Sequence, residues 1–200
     1  MNGPTRPTAA ENPFSTSRIR PGAIPYLFPP EENADRLVER LQQNGWWGQI
    51  VGGHGSGKSA LLATLIPAIE RAAGQILLIE LHDGARRLPV DLRRLLGLKA
   101  GAVVIVDGYE QLAHWSRWRL KRDCRQRRLG LLVTAHAPVG LPELFRTSTS
   151  VELAHAIVDR LLEAGRSRIP ADELQHLFAV HGGDLRELLF ALYDQHEQQQ

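Results

Sequence analysis

The sequence predicts an α/β protein of three layers, a parallel sheet with helices on both faces, followed by a small all-helical module. Three observations predict it. Short apolar runs recur at Trp46 to Val51, Gln75 to Leu81, Ala102 to Val106 and Leu129 to Thr134, the pattern of strands in a buried parallel sheet. Helical stretches separate them, at Lys58 to Ala73, Asp91 to Leu96 and Gln111 to Arg128, and strands alternating with helices imply parallel pairing. After Thr147 the strands stop: Val151 to Ala164, Ala171 to Val180 and Asp184 to Tyr193 read as helices separated by Gly165 to Pro170 and by Gly182-Gly183.

Each element has its own signal. Residues 1–12 contain Pro4, Pro7 and small residues with no apolar period, so a flexible tail is expected. Residues 13–45 are expected to pack on the core. Phe14, Ile19, Ile24, Tyr26, Leu27 and Phe28 are interspersed with prolines at 21, 25, 29 and 30, which favours an extended packed segment over a helix. Ala34, Leu37, Val38 and Leu41 then fall at helical spacing, and Gly45 ends that helix. Pro67 is expected to kink the helix that starts at Lys58 or to end it early. Gln75 to Leu81 is read as buried on both faces. The sheet domain spans 46–150 and the helical module 151–194, with 195–200 a frayed end.

Bulk properties exclude several classes. The single cysteine, Cys124, rules out a disulfide framework and a cysteine-rich zinc site, and suits a reducing cytoplasm. No early apolar stretch resembles a signal peptide, and no run approaches the roughly 20 apolar residues of a membrane span. A net charge of +2 is too mild to demand a nucleic-acid partner.

The chemistry concentrates at Gly52-Gly53-His54-Gly55-Ser56-Gly57-Lys58-Ser59, which fits G-x-x-x-x-G-K-[ST]. The glycines let backbone N–H groups turn inward around phosphate oxygens, and the positive end of the following helix adds to the field. Lys58 is expected on the β- and γ-phosphates and the Ser59 hydroxyl on Mg²⁺. Gly52 through Ala60 are thus the expected nucleotide-binding residues, with ATP and Mg²⁺ as ligands. Val103-Val104-Ile105-Val106-Asp107 is an apolar strand ending in a carboxylate, so Asp107 is expected at the metal or its water shell.

With these two motifs the chain resembles the P-loop NTPases of the AAA+ and neighbouring STAND type over residues 13–193. The opening Asn12-Pro13-Phe14 is similar to ATPases that serve bacterial secretion and transposition. The resemblance implies a sensor strand, here Leu131 to His136, with Thr134 as the polar sensor and His136 second. It also implies a helical lid in which Arg186 of Gly182-Gly183-Asp184-Leu185-Arg186-Glu187 closes over the phosphates. Surface ion pairing with Asp184 or Glu187 is the competing reading of Arg186. Arg146 occupies the place from which some relatives reach a neighbouring subunit. Ile24 and Tyr26 would line the adenine pocket, unless they serve only core packing.

One departure bears on catalysis. AAA+ proteins carry a glutamate directly after the Walker B aspartate, whereas Gly108 stands here. Glu110 is therefore the candidate to orient or deprotonate the attacking water, its alternative being a solvated first-turn glutamate. Two functions follow, a Mg²⁺-dependent ATPase coupling nucleotide state to a partner, or an ATP-binding switch without efficient turnover. A small-molecule kinase ranks last, and GTP is disfavoured because no Asn-Lys-x-Asp occurs. Self-association and a protein partner are the partners implied. The stretch Trp115 to Arg128, basic from Arg117 onward, could track a phosphate backbone. The favoured reading is instead a solvated helix that packs on the sheet through Leu112, Trp115 and Trp118.

Overall fold

The structure, a computed structural model, describes residues 12–81, 95, 97–162 and 169–198. Five strands form one sheet: β1 (Trp47–Val51), β2 (Ile76–Glu80), β3 (Val103–Asp107), β4 (Gly130–Ala135) and β5 (Glu143–Arg146). Every pairing is parallel and the order is β2-β3-β4-β1-β5. Because β4 lies between β1 and β3, the C-terminal ends of these three strands share one stretch of sheet edge. That edge is where open parallel sheets bind ligands.

The period-two geometry of the strands sorts their side chains onto two faces. Val103, Ile105, Leu132 and Ile50 join α2 (Ala34–Gln43) and α3 (Lys58–Ala73) in one core. Val104, Val106, Leu131 and Val133 face the other way, onto Leu120 and Cys124 of α4 (His114–Gln126). A third core belongs to the helical module, where α5 (Val151–Leu162), α6 (Ala171–Val180) and α7 (Leu185–Gln198) gather around Ala154, Val158, Leu161, Leu174 and Leu188.

The structure departs from expectation in several places. Helix α3 runs past Pro67 to Ala73 without an early end. The proline costs about 3 kcal/mol, but Leu61, Leu62 and Leu65 before it and Ala68 and Ile69 after it are all buried, and each large apolar side chain contributes ~1.5–3 kcal/mol. Strand β2 is not buried on both faces: among the described residues it pairs only with β3, at the sheet edge, and Leu78 is 39% exposed. Strand β5 and a short helix, α1 (Thr16–Ile19), are additions to the predicted elements. The Asp91 to Leu96 helix lies outside the described residues, Leu95 excepted.

The expected helix from Gln111 is broken. A 3₁₀ turn covers Tyr109–Gln111, Leu112 is extended, and α4 begins only at His114. Leu112 is buried but off the helix, so the inward face of α4 is set by Leu120 and Cys124, four residues apart. Trp115 and Trp118 fall on the opposite side, 68% and 50% exposed, and do not pack on the sheet as expected.

The N-terminal segment joins two cores. Phe14, 2% exposed, and Ile19 and Ile24 pack with the helical module, whereas Tyr26 and Phe28 pack with α2 and α3. Asn12, expected in a flexible tail, is buried, and its Nδ2 donates to Glu197 Oε1 (2.8 Å) and Tyr193 O (3.3 Å). The helix it ties down reaches Gln198, past the expected frayed end at Gln195. Phe14→Ala is expected to cost ~3–5 kcal/mol. Hydrogen exchange should place the loss of protection in α5 to α7, with β3 and β4 spared.

Candidate functional site

Strand β1 delivers the glycine-rich loop to the sheet edge. Gly52 N–H donates to Ala135 O (3.1 Å), which fixes the loop against β4. A Cβ on Gly52 would fall 2.0 Å from Thr147 Oγ1, so only glycine fits. Ser56 Oγ donates to Gly53 O (2.8 Å) and lies 2.6 Å from Thr147 Oγ1. Thr147, which no motif singles out, thus braces the loop from the end of β5. Gly57 has φ 86° and caps α3, whose first turn holds Lys58, Ser59 and Ala60. His54 is exposed on the loop.

Lys58 Nζ donates to Gly52 O (2.9 Å) and Gly53 O (2.6 Å). Burial lowers its pKa, while the charges of Glu110, Asp107 and Asp184 act in the opposite sense. Asp107 and Glu110 belong to the end of β3 and the turn that follows it, and Asp184 to the helical module.

Asp107 ends β3. Its Oδ1 accepts from Thr134 Oγ1 (2.5 Å), and the same hydroxyl accepts from Gly108 N–H (2.8 Å). Thr134 is fully buried. It therefore holds Asp107 from beneath, and the polar group nearer the open edge is His136, just past the end of β4. Gly108 has φ 80°, and a Cβ there would lie 3.0 Å from Leu81 O. Glutamate at this position would be strained.

The turn at Gly108 carries Glu110 back toward the loop. Glu110 Oε1 lies 3.2 Å from His136 Nε2, and Glu110 Oε2 is buried with no hydrogen-bond partner among the described residues. Burial lowers the His136 pKa, with Glu110 opposing and Lys58 and His54 reinforcing the shift. A neutral ring can bond Glu110 at Nε2 only with its proton there. The His54 and His136 rings lie 3.9 Å apart. Arg117 holds the turn from outside, through Glu110 O (2.5 Å) and Leu112 O (2.8 Å).

The helical module reaches the loop through Asp184, which the sequence marks only as an ion-pair partner for Arg186. Its Oδ1 caps α7 by accepting from Arg186 N (2.9 Å) and Glu187 N (3.2 Å). The same oxygen would lie 1.7 Å from a Cβ on Gly55, where φ is 58°. The Arg186 guanidinium lies over Phe190, 5.8 Å from the ring centroid. Arg146 forms a two-point ion pair with Glu143 on β5. Tyr26 contacts Phe28 and Phe145 edge-on and would lie 3.3 Å from a Cβ on Gly57. Ile24 lines a separate open cavity of about 330 Å³ with Arg160 and Leu161.

The residues present suit a magnesium nucleotide. Mg²⁺ bound with phosphates needs only one or two protein ligands, and Ser59 and Asp107 both stand at this edge. The unpartnered Glu110 Oε2 fits a place for a water or its proton. Among the described residues no group of three His, Cys, Asp or Glu side chains could hold a metal by itself.

No protein-family profile matches the sequence, and no curated protein does. Solved structures do match. A RuvB variant from Thermotoga maritima superposes with a TM-score of 0.52 at 14% identity, covering 80% of this chain and 60% of that one. NtrX from Brucella abortus, in complex with ATP, gives 0.57 at 12% identity, covering 88% and 53%. The chain shares the α/β fold of these two neighbours, an all-parallel sheet with helices, and resembles the AAA+ P-loop NTPases. The chain spans 53 to 60% of the length of these neighbours. Among the described residues no helix is long and apolar enough to cross a membrane.

Thr134→Val is expected to lower stability by ~1–3 kcal/mol in chemical denaturation, because Gly108 N–H loses its acceptor, whereas Thr134→Ser stays near wild type. Gly55→Ala should drive Asp184 off the loop. Greater hydrogen exchange at the start of α7 would report it, and unchanged exchange there would contradict the contact.

Proposed function

We propose that the protein binds ATP with Mg²⁺ and hydrolyses it, and that nucleotide state sets the position of the helical lid. The observation that carries this reading is the glycine-rich loop folded around Lys58, whose Nζ donates to the Gly52 and Gly53 carbonyls at the sheet edge where Asp107 ends β3. Phosphate oxygens would replace the Gly52 and Gly53 carbonyls as acceptors for Nζ. Backbone N–H groups of the loop and of Lys58 to Ala60 would bind the phosphates at the helix N-terminus. Bound Mg²⁺ would neutralise phosphate charge, held by Ser59 and Asp107.

Glu110 is the proposed water-orienting group. Its second oxygen is free of any hydrogen bond among the described residues while the first is held by His136, so the carboxylate is aimed without being saturated. Thr134 acts as a positioning residue for Asp107, and His136 takes the place nearer the reacting phosphate. Arg186 would leave Phe190 to meet phosphate charge as the lid moves. The NtrX neighbour, solved with ATP, supports nucleotide binding on this fold.

Lys58→Ala should weaken ATP binding by roughly 10- to 100-fold, the loss of a charged hydrogen bond, measured by calorimetry with Mg²⁺ present. Glu110→Gln should retain binding but reduce phosphate release by about 100-fold or more. Wild-type release no faster than that of the glutamine variant would leave a binding switch in place of an ATPase.

A further inference from the structure

Helix α4 presents an aromatic and cationic face that neither the core nor the nucleotide site uses. The Trp115 and Trp118 rings stack with centroids 4.8 Å apart and planes 26° from parallel. The Arg122 guanidinium continues the ladder, 5.5 Å from the Trp118 centroid. At 68% exposure Trp115 leaves its outer surface open. Scattered apolar side chains on a surface need no explanation, but two stacked indoles with a cation above them form a contiguous patch.

The charge on this helix is one-sided. Between His114 and Gln126 there are five basic residues and one acidic, Asp123. Several have inward tasks: Arg117 holds the Glu110 turn, Lys121 donates to Val139 O, and Arg125 lies over Trp47. Arg119, 3.8 Å from Asp123 and half exposed, remains beside the tryptophans with Arg122. At positions 115, 118, 119 and 122 these four side chains share the side of α4 opposite buried Leu120 and Cys124.

We propose that this face binds single-stranded nucleic acid, with a base stacked on the open side of Trp115 and backbone phosphates at Arg119 and Arg122. The ligand must supply both flat π surfaces and regularly spaced negative charge, and an unpaired strand supplies both. A duplex hides its bases, and an acidic peptide lacks the stacking partner. The face also reaches the nucleotide site. Arg117, adjacent to Trp118, holds Glu110 O and Leu112 O, so a strand that shifts α4 shifts the turn bearing Glu110. That coupling rests on the ATPase reading, whereas the binding does not.

The test uses the full chain and a fluorescein-labelled oligothymidylate, titrated at several salt concentrations without ATP. Binding should quench tryptophan emission and weaken steeply with salt. Trp115→Ala with Trp118→Ala should weaken it by roughly 10- to 100-fold, and Arg122→Glu should weaken it and flatten the salt dependence. ATP affinity should be unchanged in these variants, which shows that they are folded and separates this proposal from the one built on Lys58. Equal affinity of wild type and the double tryptophan variant overturns it. So does equal binding of polyglutamate or of anionic vesicles, or a wild-type protein that ignores the oligonucleotide but self-associates through the tryptophans.

Discussion

A single buried hydroxyl holds the working edge of the sheet together. Thr134 Oγ1 donates to Asp107 and accepts from Gly108 N–H, so one atom fixes both the carboxylate at the end of β3 and the main chain that turns away from it. Losing that atom would leave a buried donor unpaired and the carboxylate free to rotate. The turn then depends on Gly108, whose positive φ bends the chain so that Glu110 meets His136. Arg117 closes the far end through two carbonyls. Glu110 is thus held by backbone geometry pinned on both sides.

The parts of this arrangement legible in the sequence are those written in local chemistry. The loop at Gly52 to Ser59 needs glycine at fixed offsets, and the strand before Asp107 needs continuous apolar residues, so both can be read one residue at a time. The absence of a glutamate after Asp107 is legible too, but its cause, the φ of Gly108 and the approach of Leu81 O, is not. Strand β5 leaves little trace because Glu143 and Arg146 flank only two apolar residues. The tryptophans fall elsewhere than predicted because counting Leu112 as part of the helix gives the wrong phase. Once the chain breaks before His114, Leu120 with Cys124 sets the inward face.

Thr134 and His136 show a different limit. The two lie one strand period apart, and sequence cannot say how deep beneath the edge each will lie. Burial decides it: Thr134 has no exposure and a partner for each role of its hydroxyl, while His136 is partly exposed against Glu110 and His54. Asp184 lies beyond reach for a related reason. Its capping role is local, but its contact with Gly55 exists only because a separate core, built on α5 to α7 and Phe14, docks there.

That contact gives the helical module a direct electrostatic stake in the loop. The inward N–H groups and the start of α3 create a positive field at Gly52 to Ser59. The Asp184 carboxylate lies against Gly55 within that field, and Lys58 turns to the loop carbonyls. On the proposed function a bound triphosphate would bring several negative charges to the same place, where like charges at short range repel strongly in a partly buried site. Asp184 moving alone would give up the bonds by which its Oδ1 caps α7, a cost of about 1 kcal/mol; moving with the helix would keep them. Arg186 stands two residues farther along, over Phe190, so such a shift would change which sign of charge the helical module offers to bound phosphates. The N-terminal segment must accommodate it, since Asn12 is bonded to Glu197 and Phe14 is buried in the same core. The coupling proposed between nucleotide and helical module would therefore need no relay through the sheet, only two anions competing for one field.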